Sequence, residues 1–427
     1  MENVVTSNKG DEKTTCCIVG GGPAGIFLGY LLSRAGISVI IVEKHGDFLR
    51  DFRGDTIHPS TLELLDELGL LEEFLPLTDF RAPNLKINID GTEFEGPDFS
   101  TLKTKCKFIG FVPQWDFLNF VSAKAKPLSG FDLRMNTRAV DVTRNDNRVT
   151  GVVCEAGDGE SKSSYTIRAD LVVAADGRSS TIRSKTQLPL EAIGIPIDVL
   201  WFRLDRPSSD DTETLAWLKD GHMLVTIPRK NHYQVAMVIQ KGGFDAIKAE
   251  NIQSLKETIG NVCPKLREVA LKLSDWNEFK LLTVQINRMK RWHEPGLLFI
   301  GDAAHAMSPV GGVGINLAIQ DAVAASNHLT ASLKTGNLKE SDLAAVQKRR
   351  EKGTRRTQRM QSFIHKNVFD PNRDPTRPFS PSKPLRLVVR LLAPLIRRIA
   401  AKWIGVGFTP EHINTLEQKN ESLISET

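Results

Sequence analysis

Cysteine is scarce and does not pair: residues 16, 17, 106, 154 and 263 form no CxxC spacing and are odd in number. That pattern excludes a secreted disulfide framework, fits free thiols in a reducing compartment, and leads us to expect no metal. Long apolar runs are missing too. The most apolar stretch, Leu385 to Phe408, is cut by Arg386, Arg390, Pro394, Arg397, Arg398 and Lys402, short of the ~20 residues that cross a bilayer. The first thirteen residues, MENVVTSNKGDEK, lack the apolar run of a signal peptide and read as a solvated arm, so a cytoplasmic protein is expected. There is no internal repeat and no low-complexity tract.

What is present is an ordinary globular composition: 427 residues, 41% hydrophobic and 25% charged. At that length two or three interlocked lobes are expected, because single cores stop growing at roughly 250 to 300 residues. The net charge of +5 conceals an asymmetry. Residues 343 to 403 hold 16 Lys+Arg against 3 Asp+Glu (+13), and the rest of the chain holds 40 against 48 (−8).

Thr14 to Gly20 reads as a buried strand, Pro23 to Ala35 as a helix and Ile37 to Glu43 as a second buried strand, which together make a βαβ unit. Helices are predicted at about Pro59 to Glu73 and from Pro113 to Lys126. Between Leu85 and Phe111 a few strands are expected, and more at 138–142, 148–154, 165–168 and 171–175. From Ile197 to Met289 the runs VLWFRL, MLVTIP, YQVAMVIQ and KLLTVQI suggest a second, mostly antiparallel sheet with helices near 252–273. A buried strand at Leu297 to Ile300 and a helix from Ile315 to Leu333 follow. The five prolines between Asp370 and Pro384 mark a wrap or linker.

Gly20-Gly21-Gly22-Pro23-Ala24-Gly25 satisfies GxGxxG between a strand and a helix. Gly20 permits the tight turn, Gly22 lets backbone approach a pyrophosphate, and Gly25 lets helix and strand pack closely. The N–H groups at the helix start, those of Ala24 and Gly25 behind Pro23 included, and its dipole favour phosphate charge. Glu43, followed by Lys44, closes the second strand, where a carboxylate can accept ribose hydroxyls and would repel a 2′-phosphate. Two later strands end in acidic turns: Leu171 to Asp176-Gly177, followed by Arg178 and Arg183, and Leu297 to Gly301-Asp302, followed by Pro309-Val310-Gly311-Gly312-Val313-Gly314 and a long helix.

GxGxxG, then Asp-Gly, then Gly-Asp in this order resembles the class A flavoprotein monooxygenases, the aromatic-hydroxylase family related to p-hydroxybenzoate hydroxylase, over residues 14 to 335. The resemblance implies an α/β chain in which a Rossmann-like FAD-binding domain (14–80, 111–190 and 286–335) is interleaved with a sheet-based substrate domain (81–110 and 191–285). A helical basic segment (336–427) follows. It also implies FAD as cofactor, with Arg53 near the pyrophosphate, Gln114 near the ribityl chain, Asp176 and Arg183 in the cofactor and nicotinamide region, and Asp302 on a ribityl hydroxyl. Main-chain N–H groups of Gly314, Ile315 and Asn316, beyond Gly312, would face the flavin pyrimidine, and Pro309 the face where oxygen reacts. NADPH or NADH would reduce FAD transiently, since no second GxGxxG occurs. O2 would then give a C4a-hydroperoxide that hydroxylates or epoxidises the substrate. No catalytic side chain is assigned beyond the flavin-face candidate Pro309. His305, a lone histidine beside a glycine turn, is expected to be a packed, hydrogen-bonded residue.

In the strand Tyr233 to Gln240, alternation puts Tyr233, Val235, Met237 and Ile239 on one face and Gln234, Ala236 and Val238 on the other. Trp201, Arg203, Trp217, His222 and Tyr233 are the polar or aromatic candidates for a pocket wall. Apolar alternation favours a hydrophobic aromatic, polyketide-like or prenylated small molecule. The competing readings are an FAD-dependent reductase, a flavin halogenase, disfavoured because none of the six tryptophans stands in WxWxI, and a non-catalytic flavoprotein docked to membranes. The last rests on Leu385 to Trp403, a cationic amphipathic helix whose Val388, Leu392, Leu395, Ile399 and Trp403 lie opposite Arg386, Arg390 and Arg397. The preferred expectation is that this apolar face packs on the protein itself. Nucleic acid is not expected, because RREKGTRRTQR lacks interleaved aromatics. The sequence does not indicate an oligomeric state.

Overall fold

A computed structural model describes residues 12–49, 56–157, 163–206, 214–368 and 383–414. Strand β1 (Glu12–Val19) leads through the glycine turn into helix α1 (Pro23–Arg34), where Pro23 occupies a first-turn position whose N–H has no intrahelical partner to lose. Strand β2 (Val39–Val42) closes the unit. Helix α2 (Pro59–Glu67) stops short of the predicted Glu73, because Gly69 at φ +71° turns the chain before a separate turn at Leu71–Phe74. Strands β3 (Asn84–Ile89) and β4 (Thr92–Asp98), helix α3 (Gln114–Ala125) and strands β5 (Phe131–Arg134), β6 (Thr137–Asn145) and β7 (Arg148–Ala156) follow.

The two strands expected at 165–168 and 171–175 are one, β8 (Ser163–Ala174). Its first half pairs antiparallel with β7 and its second half lies parallel between β1 and a later strand. Next come β9 (Ile197–Asp205), β10 (Thr214–Lys219), β11 (His222–Pro228), β12 (His232–Gln240), helix α4 (Ile252–Val262) and β13 (Lys280–Leu282). The run KLLTVQI does not form a single strand: after β13 the chain leaves that sheet, and Ile286–Met289 pairs instead with Leu190–Ile193. Strand β14 (Leu297–Phe299) precedes helices α5 (Gly314–Lys334), α6 (Glu340–Val368) and α7 (Lys383–Gly405).

The first sheet runs β14–β8–β1–β2–β5 in parallel, with β6 and β7 added antiparallel and His293–Glu294 on the β14 edge. Its central strands are buried on both faces, which is why Cys16 and Cys17 are free, solvent-excluded thiols held far above their ordinary pKa, mainly by that burial. Helices α1 and α5 cover one face. On α5 the predicted stripe of Ile315, Ala318, Ile319, Ala322, Ala325 and Leu329 is buried, and each large aliphatic there contributes roughly 1.5–3 kcal/mol. The second sheet has seven strands in the order β13–β9–β12–β11–β10–β3–β4. One of its faces packs on the helices at 252–273 through Phe202, Tyr233, Val235 and Met237. The other face carries Val199, Trp201, Ile227 and Ala236 and looks toward the first sheet.

Candidate functional site

Four neighbouring strands of the first sheet, β14, β8, β1 and β2, run parallel and so end on the same edge, as open α/β sheets do where they bind ligands. Asp302, Asp176, Gly20 and Glu43 stand just beyond those four ends and all line one continuous cavity of about 800 Å³. Three inter-strand spacings separate the outer two, about 14 Å, so a ligand touching all four must be long and extended.

The glycines divide by geometry. Gly20 has φ +107°, and a Cβ there would lie 2.5 Å from the Ala175 carbonyl oxygen. A Cβ on Gly25 would lie 2.0 Å from the Gly20 carbonyl oxygen, so Gly25 serves the contact between α1 and the turn and does not line the cavity. At Gly22 a Cβ would meet nothing within 4 Å, and the backbone faces the cavity beside Pro23 and Ala24. Glu43 accepts the Gly21 N–H at 2.9 Å and its other oxygen meets His45, which orients the carboxylate along the turn. Lys44 is exposed at the rim and Gln114, the first residue of α3, lines the wall. Arg53 lies outside the described residues.

Asp176 accepts the Ile182 N–H at 3.1 Å, while its Oδ1 is buried without a partner among the described residues; burial raises its pKa. Arg183 does not line the cavity. It donates to the carbonyls of Arg178 and Ala303 at 2.6 and 2.7 Å, tying the Asp-Gly turn to the Gly-Asp turn, and Arg178 reaches Asp302 at 3.2 Å. Gly301 packs α1 against α5: a Cβ would sit 3.3 Å from those of Ala24 and Ala318. His305 is buried as expected, its Nε2 2.6 Å from Asp321. Asp321 also accepts from the Gly301 N–H and from Arg350 of α6. Burial alone would raise the Asp321 pKa, but His305 and Arg350 hold it below the usual carboxylate value.

The turn before α5 is held from three sides. Gly311 and Gly312 both have positive φ, and a Cβ on Gly312 would lie 2.5 Å from Thr56 Oγ1. The Asn316 side chain is buried beneath the turn, where its oxygen accepts from the His58 N–H at 3.0 Å and Thr61 Oγ1 at 2.7 Å. It does not itself line the cavity, whereas Pro309, Gly312, Gly314 and Ile315 do. Being the first N–H groups of a 21-residue helix, those of Gly314, Ile315 and Asn316 have no intrahelical acceptor and can meet an anionic edge. The third side is α6. Gln361 accepts the Ser308 N–H at 3.1 Å and donates to the Ser308 and Val310 carbonyls at 2.9 Å. His365 Nε2 lies 2.7 Å from Ser308 Oγ, which accepts from the Val310 N–H, and burial lowers the His365 pKa to about 4. The imidazole is therefore neutral and shares one hydrogen bond with the Ser308 hydroxyl. Sequence reasoning missed this grip. Its only trace is Gln358, Gln361 and His365 recurring at helical spacing inside a segment read as a basic tail.

The far half of the cavity is the inner face of the second sheet, with Val199, Trp201, Val225, Ile227, Ala236 and Val238. Among the described lining residues from this sheet, Lys86 alone is charged, and it stands 3.5 Å from Glu93. Of the five pocket candidates only Trp201 lines the wall. Tyr233 and Trp217 point to the opposite face, as strand alternation requires, and Arg203 and His222 are exposed. Ile364 of α6 and Ile404 of α7 complete the wall near Pro309.

These features fit FAD: an open glycine cradle, an orphaned buried carboxylate oxygen at Asp176 and a helix N-terminus far along the sequence. A family model described as an FAD binding domain matches residues 13–360. A 6-methylpretetramide 4-monooxygenase of Streptomyces rimosus is 33% identical over 353 residues, covering 82% of each chain. The crystal structure of a probable FAD-dependent monooxygenase from Pseudomonas aeruginosa superposes with a TM-score of 0.71 at 21% identity, covering 84% of this chain and 97% of that one. A flavin-dependent brominase superposes at 0.74 with 17% identity, covering 97% and 98%. The two structural likenesses show the fold alone.

Proposed function

The chain belongs to the FAD-dependent monooxygenases built on this FAD binding domain, and from that premise we propose that it uses NAD(P)H and O2 to hydroxylate or epoxidise a neutral, polycyclic aromatic or polyketide-like molecule. FAD would supply the redox chemistry, taking reducing equivalents from the nicotinamide and passing them to O2. The protein's part is to bind and orient. Gly20, Gly22 and the start of α1 would hold the pyrophosphate, Glu43 the adenosine ribose, and Asp302 the ribityl chain. Gln114 and Asp176 would flank it, and the N-terminus of α5 would stabilise negative charge on the pyrimidine edge.

The observation that carries the substrate class is the continuity of the cavity from the strand ends to the apolar inner face of the second sheet. A carboxylate substrate needs a paired cation, and the lone lysine on that wall already lies near a glutamate. A neutral ring system loses no such hydration and gains about 25 cal/mol per Å² of apolar area buried. The hydrophobic wall would also keep water from the reacting face.

The test is NAD(P)H oxidation stimulated by polycyclic phenols or polyketide aglycones, with one oxygen atom of labelled O2 recovered in the product. A flavin-loaded protein that turns over such compounds without O2 would make it a reductase. One that requires halide for product formation would make it a halogenase. Either result would refute the proposal.

A further inference from the structure

Of the apolar face that was expected to pack on the protein, the C-terminal helix α7 buries Trp403 but presents Leu392, Leu395 and Ile399 to solvent. It packs against β4 and the turn at Phe99–Thr101 through a narrow side that includes Ala393, Arg397, Ala401 and Ile404. Arg397 donates to the Gly96 carbonyl at 2.9 Å and to Glu95 at 3.1 Å. On the opposite side Leu392, Leu395, Ile396 and Ile399 are 47%, 56%, 50% and 57% exposed. At 100° per residue these four fall within an arc of roughly 100°, and the exposed Arg398 and Lys402 flank one edge of it. The side chains of Arg386, Val388 and Arg390 lie outside the described set.

We propose that this face of α7 docks the enzyme onto an anionic lipid surface, with Leu392, Leu395, Ile396 and Ile399 entering the headgroup boundary and Arg398 and Lys402 meeting lipid phosphates. An apolar stripe flanked by cations, on a helix too interrupted to span, is the pattern of an interfacial helix. Among the described residues no helix is long and apolar enough to cross a membrane. A second copy of the chain is the competing occupant, and charge decides against it. A two-fold contact places identical surfaces together, and here it would set the exposed Arg398 and Lys402 of one copy against those of the other. An anionic bilayer offers the complementary sign. The inner end of the same helix supplies Ile404 to the cavity wall, 3.8 Å from where a Gly311 Cβ would lie, so docking brings the apolar wall close to the phase in which neutral hydrophobic molecules collect.

The docking itself does not rest on the proposed reaction, and its test needs no turnover. The full FAD-loaded chain is floated with vesicles of phosphatidylcholine alone and of phosphatidylcholine with phosphatidylserine, at low and high salt. Binding is expected to the anionic vesicles, weakening with salt. Arg398→Gln with Lys402→Gln should weaken it roughly 30-fold. Leu395→Glu with Ile399→Glu should abolish it while leaving the flavin spectrum and melting temperature unchanged, because both positions are exposed. Failure of the wild-type chain to float with anionic vesicles at low salt overturns the proposal. So does binding that survives both double variants, or self-association in ultracentrifugation that Leu395→Glu with Ile399→Glu removes, which would give the face to a second copy.

Discussion

Replacing Gly22 with alanine should separate folding from cofactor binding, because the structure gives the two opposite signs. Gly22 sits at φ −77° and ψ −177°, an extended conformation open to any L-residue, and a Cβ there meets no protein atom within 4 Å. The apoprotein should therefore be unharmed, and gain about 0.4–1 kcal/mol from the lower entropy of its unfolded chain. The same Cβ would project into the cavity at the start of α1, where the FAD pyrophosphate would lie against backbone. Pushing a phosphate off one charge-assisted N–H bond costs roughly 1.5–3 kcal/mol, which raises the FAD dissociation constant roughly 10- to 150-fold. Gly25→Ala is the control. Its Cβ would stand 2.0 Å from the Gly20 carbonyl oxygen, so backbone must move, and stability should fall by about 1–3 kcal/mol together with FAD affinity. Titrating apoprotein with FAD by flavin fluorescence, alongside its thermal unfolding, reads both quantities. A Gly22→Ala protein that binds FAD within about twofold of wild type, or whose apoprotein is destabilised, would refute the assignment of this turn to the pyrophosphate.

Three further outcomes follow from the packing of α6 and α2. Arg350→Met takes from the buried Asp321 the guanidinium that it binds alongside His305, and from the nearly buried Glu411 one of its two arginines, and should cost about 3–5 kcal/mol in urea unfolding; Arg349→Met, at the half-exposed pair with Glu411, should cost under about 1 kcal/mol. Gln361→Leu removes three hydrogen bonds to residues 308–310 and should raise the fraction of NAD(P)H oxidised to hydrogen peroxide instead of product, with FAD still bound; an unchanged peroxide fraction would show that α6 does not position the turn. His58 and His365 are both held at a pKa of about 4 by burial, against an ordinary 6.5. Between those values the unfolded chain binds more protons than the folded one, so stability rises with pH through that window. Each histidine should contribute up to about 3 kcal/mol at pH 7 that is lost as pH falls from 6.5 to 4, and His365→Gln should flatten the profile by its share.

The strand ends were legible because each carries a local chemical signature: a glycine where φ or a close approach demands one, or an acid within two residues of a buried apolar run. Periodicity also placed α5, whose buried stripe is apolar. It failed on α6 for a physical reason. The buried side of that helix is polar: Arg350, Thr354, Thr357, Gln358, Gln361 and His365 recur at helical spacing and are solvent-excluded, and several of them hydrogen-bond to backbone and carboxylates of the cofactor lobe. A search for apolar recurrence cannot see such a face, and the exposed Arg355, Arg356 and Arg359 between those positions make it look solvated. On α7 the pattern showed that two faces exist, but the expectation that the apolar one packs on the protein fails at Leu392, Leu395 and Ile399 and holds at Trp403. Small residues decided that: Ala393 and Ala401 let the backbone approach β4 closely, whereas the leucines and isoleucines opposite would hold it away. The cationic charge of 343–403 is accordingly not one solvated block. Arg350 and Arg397 are consumed by carboxylates of the acidic body, which fixes α6 and α7 in place, and that fixed geometry leaves Arg398 and Lys402 beside an outward apolar stripe.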